Sequence, residues 1–306
     1  MEIVSYAMGE ASSTAYQDGY SAGETAGYAS GYSTGYDEGV ASVSSVKDLI
    51  DAMDAKGLFA YDGDVASIGR LKYISDAQLN TCLKYGDTEN ATDMRYMFSK
   101  QVNITTIPNL DTHNVTNMSR MFYEAYRLKT LPNLDTSKVT NMSYIFASDS
   151  IPMFGLDVNV PPLLDTSNVQ NAEKMFAQSS TFYIGYKGIT TIPLYDFRKV
   201  TNANYMFDNC RYLESIPALD FKELSSFNNM FRGCINLQYI HIKDIHYYFD
   251  ISVSINFTRE ALVEIIGNLR DLTGSTAKTL KMGATNLAKL TEDDIAVATD
   301  KNWTVA

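Results

Sequence analysis

The chain has 306 residues and a formal net charge of -11. This acidic balance disfavours a nucleic-acid partner, because phosphate backbones are bound by basic surfaces. No apolar run approaches the roughly 20 residues that span a bilayer, so we expect no membrane insertion.

The first 46 residues form a tract in which Gly and Tyr recur every four residues. This spacing predicts an assembly helix whose glycines allow close backbone approach. Because each Gly costs a helix about 1 kcal/mol relative to Ala, we expect it to fold only against sister chains or other proteins. A flexible linker is the alternative interpretation. The predicted oligomerisation residues are Gly19, Tyr20, Gly23, Gly27, Tyr28, Gly31, Tyr32, Gly35 and Tyr36.

Residues 47–89 are predicted to form a linker helix and an amino-terminal cap. The helix covers residues 47–57 and ends at Gly57, and the cap closes the first repeat of the array that follows. Residues 62–64 (DGD) could begin a calcium loop, but the later acidic ligands are missing. We therefore expect a turn there and no metal.

Residues 90–250 alternate between two phrases. The first, here called the turn phrase, is typified by residues 114–122 (NVTNMSRMF) and closes on a phenylalanine. The second, here called the Asp phrase, is typified by residues 107–111 (IPNLD). A unit this small cannot bury its own apolar face, so the repeats must stack and share a core. The closing residues of turn phrases one to six are Phe98, Phe122, Phe146, Phe176, Phe207 and Phe231.

Each repeat is predicted to contribute one short strand, from the Asp phrase, and one helical or 3₁₀ turn, from the turn phrase. The fold class is therefore an α/β repeat solenoid of the leucine-rich-repeat type, with capping elements at both ends. The consensus Met and Phe side chains are predicted to be core. The central Asn of the turn phrase, such as Asn117, is predicted to satisfy backbone groups of the turn.

The two phrases resemble the BspA-like leucine-rich repeats of bacterial surface proteins. The resemblance covers about residues 90–250 and rests on near-copies that recur in register. It implies a solenoid used for binding and adhesion, without catalysis. The sixth Asp phrase, residues 240–244 (IHIKD), departs from the pattern because an aromatic run follows it instead of DTS. A Tyr/Gly tract ahead of such repeats also resembles the amino-terminal part of structural proteins of gut bacteriophages.

Two consecutive repeats carry insertions of six and seven residues between the turn phrase and the Asp phrase. In a stack, the insertions must emerge side by side on one edge, and repeat insertions often form the binding face. Packing of the two insertions on each other is the competing interpretation. The predicted contact residues are Phe154, Phe182, Tyr183, Tyr186 and Tyr195.

Residues 251–306 are predicted to form the carboxy-terminal cap. Thr258 begins a helix with an apolar face, formed by Leu262, Ile265, Ile266 and Leu269, and residues 279–282 form a strand. Residues 291–294 (TEDD) resemble a capping box that opens a final helix, after which Trp303 docks on the core.

Three cysteines are present. Cys210 and Cys234 lie one period apart, and we interpret them as buried thiols rather than a disulfide. The cysteines lack metal-site spacing, and no catalytic or cofactor motif appears, so we expect a protein that is not an enzyme.

The predicted function is that of a bacteriophage structural protein, such as a tail or head fibre. It would be made in the host cytoplasm, assemble through residues 1–46 into a homo-oligomer or with other virion proteins, and bind a host-surface glycan or protein. A secretory signal needs a basic start followed by an apolar run, and the first residues have neither, which favours a virion over secretion. The alternatives are a bacterial cell-surface adhesin and a purely architectural virion protein without a ligand.

Overall fold

The computed structural model describes residues 91–100, 104–107, 109–125, 127–149, 160–179 and 188–306. The predicted assembly helix over residues 1–46 and the linker and cap over residues 47–89 lie outside these residues. The chain divides into two compact units, residues 1–135 and 136–306. Each unit contains turn phrases that stack on one another.

In the second unit, consecutive turn phrases are hydrogen-bonded side by side. The backbone N–H groups of Tyr144 and Phe146 donate to the carbonyls of Glu173 and Met175 at 2.8 and 3.0 Å. The same pattern joins the fourth phrase to the fifth and the fifth to the sixth. In the first unit, Tyr96 and the residues around it bond to the second phrase in the same way. Alternate N–H groups of phrases one, three, four and five are therefore committed to the next repeat.

The turn phrase consists of separate turns closed by hydrogen bonds between residues three apart, as in the predicted 3₁₀ alternative, and not of a continuous helical turn. The N–H of Ile145 donates to the carbonyl of Met142 at 3.2 Å, and that of Ala147 to the carbonyl of Tyr144 at 3.1 Å. Tyr144 has a φ of 58°, in the left-handed region, which interrupts a right-handed helical path. Left-handed values recur at the equivalent residues Tyr96, Arg120, Lys174, Tyr205 and Asn229.

The central Asn of the turn phrase satisfies the backbone of the turn, as predicted. The side-chain oxygens of Asn141, Asn171 and Asn202 each accept from the N–H two residues later, at 3.0, 3.1 and 3.1 Å. The backbones of these three residues also form parallel bridges with one another. A short amide side chain at this position therefore fixes the start of the turn in these three repeats.

Stacked phenylalanine rings form the centre of each unit. In the first unit, Phe98 and Phe122 lie with ring centres 5.8 Å apart. In the second, Phe176 lies 6.0 Å from Phe146 and 5.4 Å from Phe207, and Phe231 continues the row at 5.5 Å. All six rings are buried. The prediction that the consensus Met and Phe side chains are core is confirmed.

Two of the Asp phrases form strands, β1 (Ser215–Asp220) and β2 (Tyr239–Lys243), which pair in parallel. Within the described residues, the earlier Asp phrases form no strand, so the prediction of one strand per repeat was wrong for them. Proline lacks the N–H that a ladder needs, but it does not by itself prevent a strand, because β1 contains Pro217. The register between β1 and β2 shifts between Ile216 and Leu219, where Pro217 lies, and this shift places Lys243 opposite Asp220.

The carboxy-terminal region contains a parallel sheet in the order β3-β4-β5. Its strands are β3 (Phe249–Asp250), β4 (Lys278–Lys281) and β5 (Trp303–Val305). Its helices are α1 (Arg259–Gly267), α2 (Ala284–Leu287) and α3 (Glu292–Asp300). None of the helices in the described part of the chain is long and apolar enough to cross a membrane.

Three predictions for this region are confirmed. Thr258 caps α1 by accepting from the N–H of Ala261 at 3.2 Å, and the predicted apolar face is buried. Thr291 and Asp294 form the predicted capping box of α3. Trp303 is buried, and its indole N–H donates to the carbonyl of Arg270 at 2.9 Å.

Candidate functional site

Two exposed leucines mark the Asp phrases that follow the insertions. Leu163 is 75% exposed and Leu194 is 67% exposed, and each lies two residues before the closing Asp of its phrase. The repeats without insertions have Asn109, Asn133 or Ala218 at this position, or Ile242, which is buried. A large apolar side chain is therefore exposed at this position in the two repeats that carry extra chain.

Hydrogen bonds hold these two Asp phrases side by side. The phenol of Tyr195 donates to the carbonyl of Pro162 at 2.5 Å. The N–H of Asp196 donates to the hydroxyl oxygen of Thr166 at 2.8 Å. Leu163 and Leu194 thus occupy equivalent places on adjacent phrases. Together with Val160, which is 42% exposed, they form what we call the apolar edge. Exposed apolar clusters of this kind are typical of interaction surfaces.

Tyr195 lies in the core and is not available as a surface contact, contrary to the prediction. It is 3% exposed, and its ring stacks on Phe176 with centres 5.9 Å apart. Burial raises the pKa of its phenol. The sequence contained a signal for this outcome, because the residue before the closing Asp is a leucine in four other Asp phrases, as at Leu134 and Leu164, which are both buried.

The other predicted site residues lie outside the described residues. The contact residues among them are Phe154, Phe182, Tyr183 and Tyr186. The oligomerisation residues among them are the Gly and Tyr residues of the tract over residues 1–46. Their roles stay predictions.

A column of alternating tyrosines and cations runs along the second unit, and the sequence analysis missed it. The Lys174 ammonium lies 5.2 Å from the centre of the Tyr144 ring and 5.7 Å from that of Tyr205. The Arg232 guanidinium follows, 5.2 Å from the centre of the Tyr205 ring. In the first unit, Arg120 lies over Tyr96 in the same way, at 5.4 Å. The signal in the sequence is the residue that lies two positions before each closing Phe. In repeats one to five this residue alternates between Tyr and a basic residue.

The closing Asp residues have a structural role in the turns that follow them. The carboxylate of Asp165 accepts from the N–H of Ser167 at 2.9 Å. That of Asp196 accepts from the N–H of Arg198 at 3.1 Å and from its guanidinium at 3.0 and 2.6 Å. The hydrogen bonds from the Arg198 side chain lower the pKa of Asp196. In the part of the chain that the structure describes, no group of three or more His, Cys, Asp or Glu side chains could hold a metal ion.

Cys210 and Cys234 are free, buried thiols, as predicted. They occupy equivalent places in the fifth and sixth repeats. The thiol of Cys210 donates to the carbonyl of Phe176 and that of Cys234 to the carbonyl of Phe207, both at 3.1 Å. Burial raises the pKa of both thiols, which makes them poor nucleophiles in the folded chain.

A family model matches the region that contains these features. The model is described as "Mycoplasma protein of unknown function, DUF285", and it matches residues 64–153 and 131–245. The matched residues make up more than half of the chain and include all six turn phrases. No curated protein and no solved structure matches the chain. The family match is consistent with a protein of the BspA-like repeat type.

Proposed function

This chain belongs to the DUF285 family, and we propose that it is a non-enzymatic adhesion protein. Its stacked repeats form a solenoid that binds a glycan or a protein on a host surface. The observation that carries this proposal is the apolar edge, because large apolar side chains are exposed there only in the repeats with insertions.

We propose further that the protein is a virion component, such as a phage fibre or appendage, and that residues 1–46 join it to sister chains or to other virion proteins. The Tyr/Gly tract ahead of the repeats supports this part of the proposal. Neighbouring capsid or tail genes in the encoding genome would support it. A genome without any phage structural gene near this one would count against it.

Cell binding tests the adhesion proposal. Fluorescently labelled full-length protein is incubated with intact cells of a panel of gut bacteria and measured by flow cytometry. We expect saturable binding to some members, reduced at least tenfold when Leu163→Ser and Leu194→Ser are combined. Val297→Ser is the matched control, because Val297 is 45% exposed on α3 and lies outside the repeats. Binding that the double variant leaves unchanged would contradict a role for the apolar edge.

Light scattering tests the assembly role. Full-length protein and a version without residues 1–46 are compared by size-exclusion chromatography with light-scattering detection. We expect the full-length chain to be an oligomer and the shortened chain to be a monomer. If both are monomers, residues 1–46 do not assemble the chain by themselves.

A further inference from the structure

A shallow pocket lies where the sixth turn phrase meets the carboxy-terminal region. Its volume is about 60 Å³. The buried side chains of Phe231 and Phe249 form part of its floor. Its rim carries Asn229, Arg232, Tyr248, Asp250 and Val253.

Three backbone N–H groups of this pocket differ from their equivalents in the other repeats of the second unit. In the fifth phrase, the N–H groups of Ala203, Tyr205 and Phe207 donate to carbonyls of the sixth phrase at 2.9, 2.9 and 3.0 Å. The equivalent groups of the sixth phrase belong to Phe227, Asn229 and Phe231. Within the described residues these three N–H groups have no acceptor, because no further turn phrase follows. The pocket therefore offers a row of hydrogen-bond donors that a ligand can satisfy.

The rim adds hydrogen-bond acceptors and an aromatic ring. The charges around the rim nearly cancel. The Tyr248 side chain is 48% exposed, and its hydroxyl donates to the carboxylate of Asp250 at 3.0 Å. The ammonium of Lys281 donates to the same carboxylate at 3.1 Å. The guanidinium of Arg232 is held by both carboxylate oxygens of Asp208, at 2.6 and 2.5 Å. Each charge at the rim thus has an opposite charge beside it.

We propose that this pocket binds one pyranose residue of a neutral glycan. Sugar hydroxyl oxygens can accept from the row of N–H groups, and sugar hydroxyls can donate to Asp250 and to the amide of Asn229. The apolar C–H face of the sugar packs against the ring of Tyr248, which combines an apolar body with a polar end. A simple anion suits the pocket less well, because the carboxylates of Asp208 and Asp250 lie beside its donors. The inference deepens the proposed adhesion function, on which its biological role rests.

Saturation-transfer NMR on full-length protein tests the pocket. The probes are the methyl glycosides of glucose, galactose and N-acetylglucosamine, with sodium acetate and sodium sulfate as competing anions. We expect saturation transfer to the ring protons of at least one glycoside, undiminished by either anion. The pocket assignment is overturned if no glycoside shows transfer, or if the anions abolish it.

Three variants locate the binding. Tyr248→Ala removes the ring and should reduce the transfer at least fivefold. Asn229→Gly removes the amide and should also reduce it, while glycine suits the φ of 53° at this position. Tyr239→Ala is the matched control, since Tyr239 is 43% exposed and lies on β2 outside the pocket. Circular dichroism checks that each variant is folded. Transfer that both pocket variants leave unchanged would overturn the inference.

The two proposals can fail separately. If the wild-type protein binds cells but no glycoside shows transfer, the pocket inference is wrong and the adhesion proposal stands. If a glycoside binds in the pocket but no cells are bound, the adhesion proposal is contradicted and the pocket assignment stands.

Discussion

The rings of Phe176 and Phe207 lie face to face, with their centres 5.4 Å apart and their planes 6° apart. The two residues are separated in sequence by a repeat that carries an insertion, whereas Phe207 and Phe231, separated by a repeat without one, lie at 5.5 Å. The spacing within the core is therefore independent of repeat length.

Removal of a ring from the row should be strongly destabilising. Phe176 is 0% exposed and has Phe146 on one side and Phe207 on the other. We expect Phe176→Ala to lower the free energy of unfolding by about 3–5 kcal/mol, because it leaves a cavity in a stacked core. Urea unfolding followed by circular dichroism measures this. The control, Leu194→Ala at the apolar edge, should stay within about 0.5 kcal/mol of the wild type. Equal losses in the two variants would show that the ring row is not the stabilising core.

Two glycines should respond to alanine in opposite ways. Gly233 has a φ of +75°, and a Cβ atom there would lie 2.5 Å from the side-chain oxygen of Asn209 and 3.1 Å from its Cα. We expect Gly233→Ala to cost about 1–3 kcal/mol. Gly267, the last residue of α1, has no atom within 4 Å of the added Cβ. Gly267→Ala should therefore be neutral or stabilise by up to about 1 kcal/mol. Thermal unfolding compares the stability of the two variants. A Gly233→Ala variant as stable as the wild type would contradict the left-handed turn at this site.

The column of tyrosines and cations should contribute measurably to stability. Lys174 lies between the rings of Tyr144 and Tyr205 and has a φ of 50°. Lys174→Asn removes the cation but keeps a residue that tolerates a left-handed backbone. We expect a loss of about 1 kcal/mol, because each half-buried cation–π contact contributes about 0.5 kcal/mol or more. Lys222→Asn, at an exposed turn position of the sixth repeat, is the control. A result for Lys174→Asn that matches this control in urea unfolding would show that the column is energetically neutral.

The ion pair between Asp244 and Arg270 should make stability depend on pH. The guanidinium donates to the carboxylate, with the Nε atom at 2.7 Å, and these hydrogen bonds lower the pKa of Asp244. A carboxyl with a lowered pKa stabilises the fold above its unfolded pKa of about 3.9, and this contribution is lost as the pH falls through the folded pKa. Asp244→Asn should therefore be destabilising at pH 7 and nearly neutral near pH 2. Because the side chains are each 40% exposed, we expect at most about 1 kcal/mol.

Urea unfolding of the wild type and of Asp244→Asn at both pH values measures this difference. Glu223→Gln, at an exposed position of the sixth repeat, is the control and is measured at the same two pH values. A cost of Asp244→Asn that is the same at pH 7 and pH 2 would mean that the ion pair is not its source.

Local features were predictable because they depend on residues close in sequence. The repeat period identified the buried Phe and Met residues, and the central Asn of each turn phrase bonds the N–H two residues later, as at Asn141. Thr258 and Thr291 cap α1 and α3 as predicted, because helix capping depends on the Thr side chain and on the residues that directly follow it. In contrast, a continuous helical turn does not form, since alternate N–H groups that a helix would use bond the neighbouring repeat instead. The turns that do form are closed between residues three apart, as in the 3₁₀ alternative.

The sequence by itself determined which consensus residues face the core. Apolar side chains that recur at a fixed period must be buried, whatever lies beside them. Only the tertiary structure decided the left-handed backbone at Tyr144 and Lys174 and the register that sets Lys243 opposite Asp220. It also decided that Phe227, Asn229 and Phe231, in the last turn phrase, line a pocket. The physical reason is that these features depend on hydrogen bonds between repeats, and the acceptors for those bonds lie more than 20 residues away along the chain.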